Sequence, residues 1–166
     1  TQKAQKHMEN QNLGMTPPPL DCDLATVDIS MPLLADGIYD FNIVKAELKP
    51  TSTPGGQMIH LDLVTIDPTT ARTGAPLGAG VHVFNNVNVV PTGKATWDMI
   101  KQNVGALVQA AQFEAGVARL DNVSPWAPML VGKVVRAKIV YKPAGVSKAG
   151  KSFKEANEVA YFTKKV

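Results

Sequence analysis

Past residue 36 the apolar positions recur at every second residue in five separate runs, and at helical spacing in only one. In the first run, residues 37–49, Tyr39, Phe41 and Ile43 share one parity, whereas Val44, Ala46 and Leu48 take the other. A change of parity within one strand predicts a bulge, or a coiled strand that serves two faces. Residues 58–66 set Ile59, Leu61 and Leu63 against His60 and Asp62, and Asp67-Pro68 closes the run. A third strand is expected over about 81–90. Trp97, Ile100, Val104, Leu107 and Ala111 then recur at three- and four-residue spacing, one stripe of an amphipathic helix, with Thr92 as its expected cap. Trp126 lies in the following loop, where an indole is expected to be anchored. Residues 130–142 place Val135, Ala137, Ile139 and Tyr141 on one side and Arg136, Lys138 and Lys142 on the other. After a Gly-rich hairpin loop, residues 151–163 set Val159 and Tyr161 against Ala160 and Phe162. The order β-β-β-α-β-β predicts an all-β fold with one helix: a five-stranded OB-like β-barrel with the helix plugging one end.

Residues 1–35 read differently, as an extended N-terminal arm ahead of a barrel domain at 36–166. Thr16-Pro17-Pro18-Pro19-Leu20 favours polyproline II. The apolar Leu20, Leu24, Val27 and Ile29 would be left in water by an isolated arm, so they are expected to pack on the barrel or on a neighbouring subunit.

Composition narrows the class. The chain has 166 residues, 45% of them apolar, which fits a packed globule rather than a disordered chain. It contains no apolar run of 18 residues, and its polar first residues lack the core of a secretion signal. The start at Thr1 is what removal of an initiator methionine before a small residue leaves. Cys22 has no second cysteine to pair with. The net charge is only +3, but residues 1–132 hold 8 basic and 12 acidic side chains, against 9 basic and 2 acidic in 133–166. That asymmetry points to a polyanion or an acidic protein surface, unless the lysines only keep an edge strand from aggregating.

Signals for catalysis are poor. His7, His60 and His82 are scattered, and with one cysteine and no close His pair no zinc site is suggested. Gly93-Lys94-Ala95-Thr96 fails as a phosphate loop, because Asn88 stands where the earlier glycine is required. Neither an enzymatic activity nor a cofactor or metal is expected.

The run Pro32-Leu33-Leu34-Ala35-Asp36-Gly37-Ile38-Tyr39, with Leu130-Val131-Gly132-Lys133-Val134-Val135 and later Asn157-Glu158-Val159, resembles a group of small bacteriophage proteins with OB-like barrels. Some of these are regarded as single-strand DNA-binding proteins. The resemblance covers about residues 32–163 and implies a phage origin and an OB-like barrel. Such single-strand binders often end in an acidic tail, whereas this chain ends Lys164-Lys165-Val166 and carries an added arm.

Two functions follow. The first is a virion structural protein, a capsid cement or decoration protein. It would attach to the major capsid protein or to further copies of itself through arm residues Pro17, Pro18, Pro19, Leu20, Leu24, Val27 and Ile29. A basic barrel face of Arg136, Lys138, Lys142, Lys148, Lys151 and Lys154 would rest on acidic capsid surface. Its location would be the capsid surface of the virion, after the host cytoplasm. The alternative is single-stranded DNA binding in replication or recombination. The same cations would then track phosphates, and Tyr39, Phe153 and Tyr161 would stack on bases.

Overall fold

The computed structural model describes residues 23–26, 32–92 and 95–164. The chain divides into two units, Thr1–Met31 and Pro32–Val166. In the first, Leu24–Thr26 forms a single 3-10 turn, with the Asp23 carboxylate accepting from the Ala25 N–H at 3.0 Å.

The second unit contains β1 (Gly37–Pro50), β2 (Gln57–Thr65), β3 (Thr69–Thr70), β4 (Pro76–Leu77), β5 (His82–Asn88), α1 (Trp97–Ala110), β6 (Val134–Lys142), β7 (Gly145–Val146), β8 (Ser152–Phe153) and β9 (Ala156–Thr163). Five of these strands form one antiparallel sheet in the order β5-β2-β1-β6-β9. The pairs β3–β4 and β7–β8 are small ribbons within its loops. The fold is therefore mostly β with one α-helix. No backbone ladder joins the two edge strands among the described residues, although β5 and β9 come within 8 Å of each other between Cα atoms.

The expected change of parity in β1 is a bulge. Ile43 pairs with Leu63 and Lys45 with Asp62, so Val44 is the extra residue. The slip keeps Phe41, Ile43 and Ala46 all buried, and they meet Ile59, Leu61 and Leu63 of β2 and Val135, Ala137 and Ile139 of β6 in one core. A second slip, between Lys138 and Ile139 of β6, makes Ala160 the extra residue in β9. The alternation expected there is corrected by it: Val159 and Phe162 pack on the core, whereas Tyr161 is exposed.

Helix α1 lays Ile100, Val104, Leu107 and Ala110 on the core. Its cap is Thr96, not Thr92; the Thr96 hydroxyl accepts from the Met99 N–H at 3.3 Å. Trp97 is half exposed, because the first turn of the stripe projects beyond the core. Trp126 is anchored as expected. It is 1% exposed, and its indole N–H donates to the Arg119 carbonyl at 2.9 Å. The fourth strand begins at Val134 rather than Leu130, since Ala127–Leu130 forms a 3-10 turn beneath it. At the junction Gly132 adopts φ +88° while its N–H donates to the Ile43 carbonyl at 2.8 Å, a conformation that a side chain would strain.

The boundary between arm and body also moves. Residues 32–35 belong to the second unit, not to the arm. Leu34 is wholly buried, and the Asn157 carboxamide grips its backbone, accepting from the Leu34 N–H at 2.7 Å and donating to the Leu34 carbonyl at 3.0 Å. The Ala35 N–H donates to Thr70 and the Arg72 N–H to Leu33, which stitches this segment to the β3–β4 ribbon.

Candidate nucleic-acid interface

Alternation along β2 and β5 sends Ile59, Leu61, Leu63, Val83 and Val87 into the core and leaves His60, Asp62, His82, Phe84 and Asn86 on the outer face. Phe84 stays 51% exposed there. Its ring stands between two imidazoles, each at 6.1 Å between centroids, with interplanar angles of 8° to His60 and 23° to His82. Both imidazoles are held from behind: His60 Nδ1 lies 2.6 Å from Asn86 Oδ1, and His82 Nδ1 lies 2.8 Å from Asp62 Oδ1. The result is a row of three near-parallel rings on the outer face of the sheet. Beside it on β1, Lys45 and Lys49 lie 3.4 and 3.5 Å from Glu47. Surface pairs of this kind hold their cations loosely, so an anion can compete for them.

A second exposed group lies on the ribbon between β6 and β9. Lys142, Lys148, Lys151 and Lys154 are all exposed. Lys142 Nζ sits 5.1 Å from the centroid of Phe153, a partly exposed ring packed over Gly145, where a Cβ would come within 2.9 Å of it. This part of the expected basic face is built as exposed cations on a hairpin, with Lys142 over the ring of Phe153.

The remaining expected residues are placed differently. Arg136 is paired with Asp40, Nε to Oδ1 at 2.8 Å and Nη2 to Oδ2 at 3.3 Å, and those hydrogen bonds hold the guanidinium pKa above its ordinary value. Its charge is compensated within the sheet. Lys138 is half-buried on β6, between Ile38 of β1 and Tyr161 of β9 in the register. Tyr39 donates its hydroxyl to the Ala35 carbonyl at 2.6 Å and meets Phe41 edge-on; burial, with the Asp36 charge beside it, raises its pKa. It fastens the start of β1 rather than offering a face. Tyr161 is 49% exposed. Of the arm residues, Leu24 is 80% exposed, whereas Pro17, Pro18, Pro19, Leu20, Val27 and Ile29 lie outside the described residues.

Sequence reasoning missed Phe84. The signal was present, because Phe84 has the parity of His82, Asn86 and Asn88 and the opposite parity to Val83 and Val87. The quoted motif residues are fasteners: Tyr39 holds Ala35, Gly132 turns into β6, and Asn157 grips Leu34. Among the described residues no three His, Cys, Asp or Glu side chains gather as a metal cage, and no helix is long and apolar enough to cross a membrane.

Comparison with curated proteins gives no match. A family model does match over residues 20–165, nearly the whole chain and all the elements above, and the chain therefore belongs to the family described as "Protein of unknown function (DUF669)".

Proposed function

We propose that this chain is a non-enzymatic single-stranded DNA-binding protein, built on an OB-like barrel left partly open between β5 and β9. The sheet order, the helix between the third and fourth long strands, and the approach of the two edges support the barrel reading. Barrels of that type bind oligonucleotides on the outer face of their second and third strands and with the loops beside it. Here those strands are β2 and β5, and that face carries the observation on which the proposal rests: the exposed row His60, Phe84, His82. An exposed phenylalanine between two oriented imidazoles does nothing for the core and offers a base a flat apolar partner. The lysine ribbon supplies backbone charge without base preference. A phage origin belongs to the same proposal, carried by the resemblance of residues 32–163.

The platform reverses the order of the two functional expectations. It is tested by fluorescence anisotropy with labelled oligo-dT across a salt series. Engagement of Lys142, Lys148, Lys151 and Lys154 with four phosphates gives a logarithmic slope of about −3, or about fiftyfold weaker binding between 50 and 200 mM salt. Replacing Lys148, Lys151 and Lys154 together by alanine should flatten that slope by about 2. Absence of binding at low salt would eliminate the reading.

Attachment to a capsid keeps one observation in its favour, the 80% exposure of Leu24 on a turn of the N-terminal unit. An apolar side chain so placed suits docking into a groove of a capsid protein or of another copy. On this reading purified virions contain the chain in stoichiometric amount by mass spectrometry; its absence from them removes the reading.

A further inference from the structure

Beside the platform, where β5 and β9 approach without pairing, a cleft of about 570 Å³ opens under the exposed side of α1. Its chemistry is unusual for a sheet edge. Asn85 of β5 and Gln102 and Asn103 of α1 line it, with Asn88 at its outer rim and Glu158 and Tyr161 of β9 also in its lining. Asn85 has the inward parity of Val83 and Val87 and is half-buried opposite Leu61, a position at which a strand normally carries an apolar side chain. Asn85, Asn88, Gln102 and Asn103 make no side-chain hydrogen bond to any other described residue. Three carboxamides, Asn85 at a core position and Gln102 and Asn103 on α1, thus line one space with donors and acceptors that no described residue satisfies.

We infer that this cleft is a base-reading subsite, which takes adenine or cytosine, the bases whose Watson–Crick edge sets an exocyclic amine beside an unprotonated ring nitrogen, from the strand that crosses the platform. The inference rests on the proposed single-strand binding and adds selectivity to it. A carboxamide presents a donor and an acceptor in one plane, the complement of an adenine edge, and a carboxylate accepts from the cytosine amine. Glu158, the one charged side chain among those that line the cleft, disfavours phosphate there and leaves the neutral base as the fitting ligand. Tyr161 offers the stacking face, being 49% exposed. The two sites are continuous, since Asn86 lines the cleft while its Oδ1 lies 2.6 Å from His60 Nδ1.

The test compares a labelled oligo-dT with oligomers of the same length in which every third base is adenine or cytosine. The wild-type chain should bind at least one substituted oligomer roughly tenfold more tightly, the discrimination of one good bidentate contact. The double variant Gln102→Ala, Asn103→Ala should keep its oligo-dT affinity and its thermal midpoint, since both residues are exposed on α1, and should lose the preference. Equal or weaker binding of the substituted oligomers by the wild type, or a preference that survives in the variant, overturns the subsite and leaves the platform standing. Failure of the wild-type chain to bind any oligomer overturns the platform reading beneath it.

Discussion

Phe84→Ala is expected to weaken oligo-dT binding by between about fivefold and 150-fold, while the thermal midpoint moves by only a few degrees. The affinity term is the loss of one base–aromatic stack, about 1–3 kcal/mol. The stability term is small because Phe84 is 51% exposed; its ring contacts, across the pair to His60 and along β5 to His82, are worth about 0.2–1 kcal/mol each. The split between the two readouts is what separates a binding residue from a packing residue. Phe84→Trp retains a flat ring and should restore affinity, whereas Phe84→Leu retains apolar area and should not. An affinity for Phe84→Ala within twofold of wild type would remove the platform from the mechanism.

Trp126→Ala is expected to have the larger effect on folding, about 3–5 kcal/mol, which lowers the midpoint by roughly 10–20 °C. A domain of ordinary stability holds only about 5–15 kcal/mol, so the variant should be marginal at 37 °C. The indole is 1% exposed, meets Phe113 edge-on at 6.1 Å, and satisfies the Arg119 carbonyl. It thereby ties the long connection after α1 to the core just before β6 begins. Trp126→Phe separates the two contributions, since it keeps most of the packing and loses the donor, at a cost of about 1–3 kcal/mol. A midpoint for Trp126→Ala within a few degrees of wild type would show that the connection is held by something other than the indole.

Which residues could be read in advance follows from where their determinants lie. The strand faces were legible because alternation is local: Ile59, Leu61 and Leu63 against His60 and Asp62 needs only β2. The bulge at Val44 was legible for the same reason, as a change of parity within one strand. In β9 the equivalent change was not, because Val159, Ala160, Tyr161 and Phe162 are all apolar or amphipathic and only the register against β6 shows which of them turns outward. Leu34 could not be told from the arm's other leucines until Asn157, 123 positions further on, closed on its backbone. Arg136 counted as a free cation until the β1–β6 register set it opposite Asp40.

The candidate site divides the same way. The lysines at 142, 148, 151 and 154 were visible as composition, since a Gly- and Lys-rich loop between strands leaves its charges in water. The platform was not, because it is assembled across strands: His60 comes from β2, His82 and Phe84 from β5, and their partners Asn86 and Asp62 from opposite sides of the pair. The sequence by itself determined five long strands, one helix, the faces of β1, β2 and β6 and the basic hairpin, since these depend on side-chain period and local turn chemistry. Only the tertiary structure decided which apolar residues stay uncovered, which cations are neutralised and which carboxamides share a cleft, because those depend on neighbours that strand register brings together from distant parts of the chain.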